Sequence, residues 1–408
     1  MAEAPDNLAP FFVLEVENQE IQANVTDFVQ TLEYESSDGM ADMAKVTFSN
    51  PDFILSTTKL FQPYNEMSIW IGWGAKLPTY IGRVILARPR ILFPPGGMPT
   101  LEVKGYSKDW VMMRTDPADK KRREEAAEKA QGSGKKDLAK AIKKINYGDA
   151  SVSDVVEQIG LENFMRVDDV DSVDLPEIEN LDRPADLSDY DFIKCLSNLT
   201  GYLFWVDSDK QGHWQLHFKD PNKPLALEQE KVYTFKYNAG VATSLFSFEP
   251  EMLFQDKYTE IKIQAYGNRS SGKYGQLMEA QLFVDEDTGQ DSILFEGTAK
   301  DKIKTDLKSA ETVQLFIGEY SFKFMAGTHI NTPEKLKAWA ESWFRRNKEN
   351  FIIARGRTVG IENLMARQEH YIEGLGRPWD GKYYMDRVRH VLGGNGYQCD
   401  WHGRKALS

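Results

Sequence analysis

Cysteine is scarce, with only Cys195 and Cys399 in 408 residues. A disulfide-stapled secreted fold needs a denser framework, so nothing calls for an oxidising compartment, and both read as ordinary thiols. Long apolar runs are missing too: no stretch approaches the ~20 residues of a membrane span. The N-terminus, MAEAPDNLAP, lacks the basic region and apolar core of a signal peptide. The expectation is a soluble chain, made or assembled in the cytoplasm. Positive charge is also in deficit. A net charge of −12 weighs against a protein that grips nucleic acid by neutralising phosphates. It does not exclude a surface past which nucleic acid slides without sticking.

Catalytic signatures are absent as well. There is no GxSxG elbow, no HExxH helix and no Walker loop. The six histidines are scattered. His213 and His217 have the even spacing of one strand face but lack the third ligand that a zinc site requires. The stretch 167–179, with Asp168, Asp169, Asp171 and Asp174, is only loosely like a calcium loop, because the sixth-position glycine is missing. It reads as a solvated loop, and 285–292 as a polar turn. Two distant carboxylates could serve glycoside hydrolysis, but with 62 acidic residues that possibility carries no information. No catalytic residue, metal or cofactor is indicated.

What the chain does have is period-two alternation. Aromatics make up 12% of it, which favours strands, since such side chains suit a pleated, half-buried surface. Leu14 and Val16 share a face, as do Ala44, Val46 and Phe48. Met67, Ile69, Ile71 and Trp73 form a longer stripe, and Leu101 and Val103 another. SSDG at 36–39, SNPD at 49–52 and PPGG at 94–97 supply the turns. Residues 1–115 therefore read as a β-barrel. Residues 116–147 form a charged helical insert, locally basic through Lys120, Lys121, Arg122, Arg123, Lys135, Lys136, Lys140, Lys143 and Lys144. They suit either solvation or an acidic neighbour. Residues 148–248 read as an α+β domain. Ser151 with Asp154 and Ser188 with Asp191 begin two amphipathic helices, and a hairpin follows at 202–218. Residues 249–408 return to strands, interrupted by a helix from Thr332 whose Leu336, Trp339, Trp343 and Phe344 share a face. The fold class expected is strand-rich α+β, with two barrels flanking an α+β middle.

The order of motifs resembles the late-control-D and baseplate-hub family of tailed phages. It is also similar to the ring-forming part of type VI secretion spikes. The resemblance covers nearly the whole length outside the insert. SSDGMADMAKVTFSNPD looks like the family's acidic turn and following strand. LFQPYNEMSIWIGW carries Gly72, with Tyr64 where a turn glycine is usual. YIGRVILARPRI carries Gly82, and PPGGMPTLEVKGYSKDW carries Gly105. DLSDYDFIKCLSNLTGYLFWVD ends its helix at Gly201. The last strands, YIEGLGRPWDGKYYMDRVRHVLGGNGYQCDW, carry Asp380 and Gly381 at a turn, His390 near a strand end and Gly396 before the final strand. All of these, His390 included, are expected to be structural positions.

The resemblance implies a non-enzymatic hub. Three copies, each with two tube-like barrels, would make a pseudo-six-fold ring between a six-fold tail tube and a three-fold spike. Its partners would be further copies of itself, the tube or tube-initiator protein, the spike, and tape-measure, wedge or other baseplate proteins. Viral DNA would cross the lumen without specific binding. Lys120, Lys121, Arg122, Arg123, Lys140, Lys143 and Lys144 would meet a neighbouring protein on the outer side. The chain shows no fused lysozyme or β-helical spike, so those parts are expected in separate proteins. The location implied is the baseplate of the virion. The alternatives are another tail-tip structural protein, a glycan-binding adhesin or a tail-associated cell-wall hydrolase.

Overall fold

The computed structural model describes residues 9–74, 76–114, 144–147, 150–173, 182–184, 187–221, 232–237, 244–253, 258–266, 277–284, 290–296, 303–306, 318–323, 336, 339, 342, 352–376 and 378–405. In chain order the first strands are β1 (Pro10–Val16), β2 (Gln19–Glu20), β3 (Val29–Ser37), β4 (Met43–Ser49), β5 (Glu66–Trp73), β6 (Thr79–Leu92) and β7 (Thr100–Tyr106). The middle holds β8 (Lys144–Asn146), β9 (Arg166–Val170), β10 (Asp182–Pro184), β11 (Leu203–Ser208) and β12 (Trp214–Lys219). Next come β13 (Thr234–Lys236), β14 (Leu245–Met252), β15 (Tyr258–Tyr266), β16 (Leu277–Val284), β17 (Gln290–Glu296), β18 (Ile303–Asp306) and β19 (Gly318–Lys323). The chain closes with β20 (Ile352–Val359), β21 (Glu369–Glu373), β22 (Gly381–Gly393) and β23 (Gly396–Lys405).

Alternation in the sequence becomes alternation in burial. Along β4, Ala44, Val46 and Phe48 are buried while Lys45 and Thr47 between them face outward. Met67, Ile69 and Ile71 of β5 and Leu101 and Val103 of β7 join them in one core. That core is not confined to the first hundred residues. It continues through Ile352, Ala354, Tyr383, Met385, Val388 and Trp401.

The reason is the sheet. Thirteen strands form one ladder, in the order β14-β20-β23-β22-β3-β4-β7-β6-β5-β1-β2, with β21 on β22 and β13 on β21. Antiparallel pairing of β3 with β22, from Leu32↔Leu392 to Ser37↔Arg387, joins the two ends of the chain. This differs from the expectation of two barrels separated by a middle domain. Among the described residues the ladder ends at β14 and β2, and no closed barrel is formed. Each strand-rich end offers the other an edge with matching inner-face apolar residues, so pairing removes two exposed edges at once.

The middle region packs a second core from two helices and a small sheet. Ser151 caps the helix Val152–Glu162, accepting from Asp154 N while Asp154 accepts from Ser151 N. Ser188 Oγ caps Asp189–Thr200 by accepting from Asp191 N and donates to Asp191 Oδ2, and Gly201, at φ 77°, ends the helix. Such caps each stabilise by about 1 kcal/mol. Val155, Val156 and Ile159 of the first helix meet Phe192, Ile193 and Leu196 of the second. The hairpin β11–β12 lies beside them, with β9 pairing parallel to β12. Here the expectation of a solvated loop from 167 fails, because 167–170 belong to a strand. Of residues 332–344, expected as a helix, Leu336, Trp339 and Ser342 are described and all three are helical, while Thr332, Trp343 and Phe344 lie outside the described residues. Trp339 packs on the middle core, and Ser342 Oγ donates to Asn198 O. A separate sheet, β18-β17-β16-β15-β19, completes the described fold.

Candidate functional site

The glycines singled out by sequence do not converge on one place. Gly82 and Gly105 are sites of close approach. A Cβ on Gly82 would lie 2.2 Å from Tyr34 Oη, and one on Gly105 would lie 2.6 Å from Val84 Cγ2 and 2.9 Å from Ile85 O. Gly72 faces the Phe11 ring, and a Cβ there would lie only 2.9 Å from it. Gly396, at φ 86°, makes the turn between β22 and β23. Asp380 Oδ1 accepts from Leu375 N, and Lys405 Nζ reaches Asp380 O and lies against Gly381, whose φ is 135°. Tyr64 has a φ of 73°, so the turn keeps a glycine-like backbone without a glycine. Of the basic residues, Lys120, Lys121, Arg122, Arg123, Lys135, Lys136, Lys140 and Lys143 lie outside the described residues, and Lys144 opens β8. Asp174 and the 285–289 part of the polar turn also lie outside them.

His390 lies in a pairing that invites a catalytic reading. Its Nδ1 is 3.5 Å from Cys399 Sγ. Chemistry argues against thiol activation. Nε2 donates to Leu364 O at 2.8 Å, which leaves Nδ1 to accept from Tyr397 Oη at 2.6 Å. Burial pushes the imidazole down to about 4 and the Cys399 thiol up to about 12, so both stay neutral near pH 7. A nucleophilic thiolate needs the reverse arrangement.

A second polar constellation was not legible as a site. It lies between the two cores and is centred on Arg367, whose backbone is left-handed at φ 70°. Arg367 Nη1 donates to Ser37 O at 2.7 Å, Nη2 stands 3.8 Å from Asp42 Oδ2, and the guanidinium carbon is 5.1 Å from the Trp205 ring centre. Trp205 in turn stacks on His217 at 4.5 Å and 4°. His217 gives one nitrogen to each of two carboxylates, Nδ1 to Asp169 at 2.5 Å and Nε2 to Asp207 at 2.8 Å. Lys219 Nζ continues the chain to Asp169 at 2.6 Å and Asp171 at 3.3 Å. His213 does not share this face. It sits in the turn before β12 and contacts Asp209.

Electrostatics follow from that geometry. Burial alone would depress His217, but Asp207 and Asp169 overcome it and hold the imidazolium up to about 9. The bond from His217 is the main reason that Asp169 falls to about 2. Burial raises Asp42 despite Arg367 beside it. Burial also lifts Asp109 to about 7, although Ser107 donates to it. Charges of both signs alternate across a seam that ties the hairpin layer to the large sheet. Further ties are Tyr80 Oη to Ser208 Oγ at 2.7 Å, Trp214 Nε1 to Glu66 at 3.0 Å and Tyr190 Oη to Gly39 O at 2.8 Å. This is a structural clamp. Among the described residues no group of three or more His, Cys, Asp or Glu could hold a metal ion.

No protein-family profile matches the sequence, and no curated protein does. Solved structures do match. A tail protein from Neisseria meningitidis MC58 aligns with a TM-score of 0.60 at 9% identity, over 97% of both chains. The 43 kDa tail protein of prophage MuSo2 from Shewanella oneidensis gives 0.59 at 11%, over 97% of this chain and 98% of that one. A chain of the half-lidded Francisella PdpA–VgrG complex gives 0.53 at 9%, over 98% of this chain and 58% of that one. The chain therefore has the fold of tail proteins. This agrees with the phage-tail and spike-ring resemblance read from its motifs.

Proposed function

We propose that this chain is a non-enzymatic structural subunit of a phage tail baseplate hub. The observation that carries the reading is the shared fold with two tail proteins along nearly the full length of all three chains. In this reading three copies form a ring that adapts a six-fold tail tube to a three-fold spike. Each copy supplies two strand-rich units, one on either side of the β3–β22 ladder. Tube or tube-initiator, spike, tape-measure and wedge proteins are its neighbours, and viral DNA crosses its lumen without specific binding. The neutral state of His390 and Cys399 and the role of His217 as a clamp support a structural rather than a catalytic reading. The test is tail assembly in a phage or prophage whose copy of this gene is interrupted. Electron microscopy should find particles without complete baseplates, restored by the gene supplied in trans. Normal tails that fail only to clear cell-wall substrate would favour a hydrolase instead.

A further inference from the structure

Three aromatic rings stand on left-handed backbone: Phe53 at φ 60°, Tyr64 at 73° and Phe164 at 56°. A side chain in that region costs folding free energy that glycine avoids. An exposed ring recovers little of it by burial, and Tyr64 and Phe164 are 63% and 88% exposed. Both stand at chain reversals that glycine would serve, Phe164 at a helix end closed by Met165 N donating to Gly160 O and Tyr64 in the turn closed by Asn65 N donating to Gln62 O, and the sequence places an exposed ring there instead.

Tyr64 and Phe164 both lie against the segment Tyr106–Arg114. Tyr106 and Trp110 stack at 5.6 Å and 24°. The Arg114 guanidinium carbon sits 4.0 Å from the Trp110 ring centre and 5.9 Å from that of Tyr64, and Nη1 donates to Tyr64 Oη at 2.9 Å. Lys108 Nζ stands 5.9 Å from the Phe164 ring centre. Among the described residues neither Arg114 nor Lys108 forms an ion pair, although Glu66 lies near enough to Lys108 to favour its charged form. That is unexpected in a chain with 62 acidic and 50 basic residues, where carboxylates are in surplus. A guanidinium stacked on an indole is fixed in orientation while its other N–H donors stay unspent, which suits a carboxylate.

We propose that Tyr64, Tyr106, Lys108, Trp110, Arg114 and Phe164 form a docking surface for an acidic segment of another protein. A partner carboxylate meets Arg114, a second meets Lys108, and apolar side chains between them cover the rings. Rings with cations also suit single-stranded nucleic acid, but the net charge of −12 opposes a polyanion with phosphates along its whole length. The proposal does not depend on how many copies form a ring, so its failure would leave the hub reading standing.

Fluorescence anisotropy on the full chain tests it. The probes are a labelled peptide in which Glu and Leu alternate with Ser, the same peptide with Gln for Glu, and a labelled oligothymidine. Wild type should bind the acidic peptide, more weakly as salt rises, and should not bind the Gln version. Arg114→Glu should abolish binding, and Trp110→Ala should weaken it about tenfold. Tyr64→Gly removes a ring while relieving the backbone. It should keep full thermal stability and still lose affinity, which separates docking from folding. No binding of the acidic peptide by wild type, equal binding by Arg114→Glu, or binding of oligothymidine in preference to the peptide would each overturn the proposal.

Discussion

His217 and His390 are both buried, and their surroundings push them in opposite directions. His217 lies between two carboxylates and is raised to about 9. His390 has a hydroxyl and a carbonyl as partners and is depressed to about 4. An unfolded imidazole titrates near 6.5. The stability that His217 contributes is therefore fully present below about 6.5 and is lost as pH rises through about 9. His390 works the other way, and stability falls as pH drops from about 6.5 towards 4. His217→Gln should cost about 1–3 kcal/mol at pH 6, where it removes a buried charge from between two part-exposed carboxylates. The gap between variant and wild type in urea melts should narrow as pH rises to 9.5. A gap that stays constant with pH would show that His217 is neutral in the folded chain. Little of this was visible in the sequence. Asp169 looked like one more acid in a polar stretch, and nothing local marks Arg367 or ties it to Asp42. A network drawn from 42, 169, 207, 217 and 367 exists only after folding.

Single elements were far more legible. Period-two alternation located the first strands and their buried faces, and Ser151 and Ser188 marked the helix starts, because both signals are local. What sequence could not reveal was pairing at a distance. Ser36 and Val388 are cross-strand partners 352 residues apart, and only the fit of two apolar faces brings them together. β9 was hidden for a different reason. Its Asp168 and Asp169 have poor strand propensity, and parallel pairing with β12 together with ion pairs to His217 and Lys219 overrides that preference. The close approach at Gly105 gives an element-scale prediction. β7 runs between β4 and β6, so Gly105→Ala would press a methyl group against the Ile85 carbonyl and the Val84 side chain. Overpacking of this kind should cost about 1–3 kcal/mol. Gly394→Ala, with nothing within 4 Å of the added Cβ, is the matched control and should change the melting temperature little. Equal melting temperatures for the two variants would mean that β6 and β7 are less closely packed than described.

At the scale of the whole molecule, the ladder is the central fact. One sheet takes six strands from the later part of the chain and seven from the first 106 residues, meeting at β3 and β22. The flanking-barrel picture drawn from sequence had the strand-rich ends right but kept them apart. They are joined in one sheet over one continuous core, with the helical layer tied to it through Arg367 and His217. In the proposed hub, the two strand-rich halves that meet at β3 and β22 would each fill one tube position, so a ring would need half as many chains as tube positions. Copy number is thus where the hub account is most exposed. Native mass spectrometry of the purified ring, or the local symmetry of the baseplate that contains it, measures this directly. The account predicts three copies per ring. Six copies, one for each tube position, would contradict it.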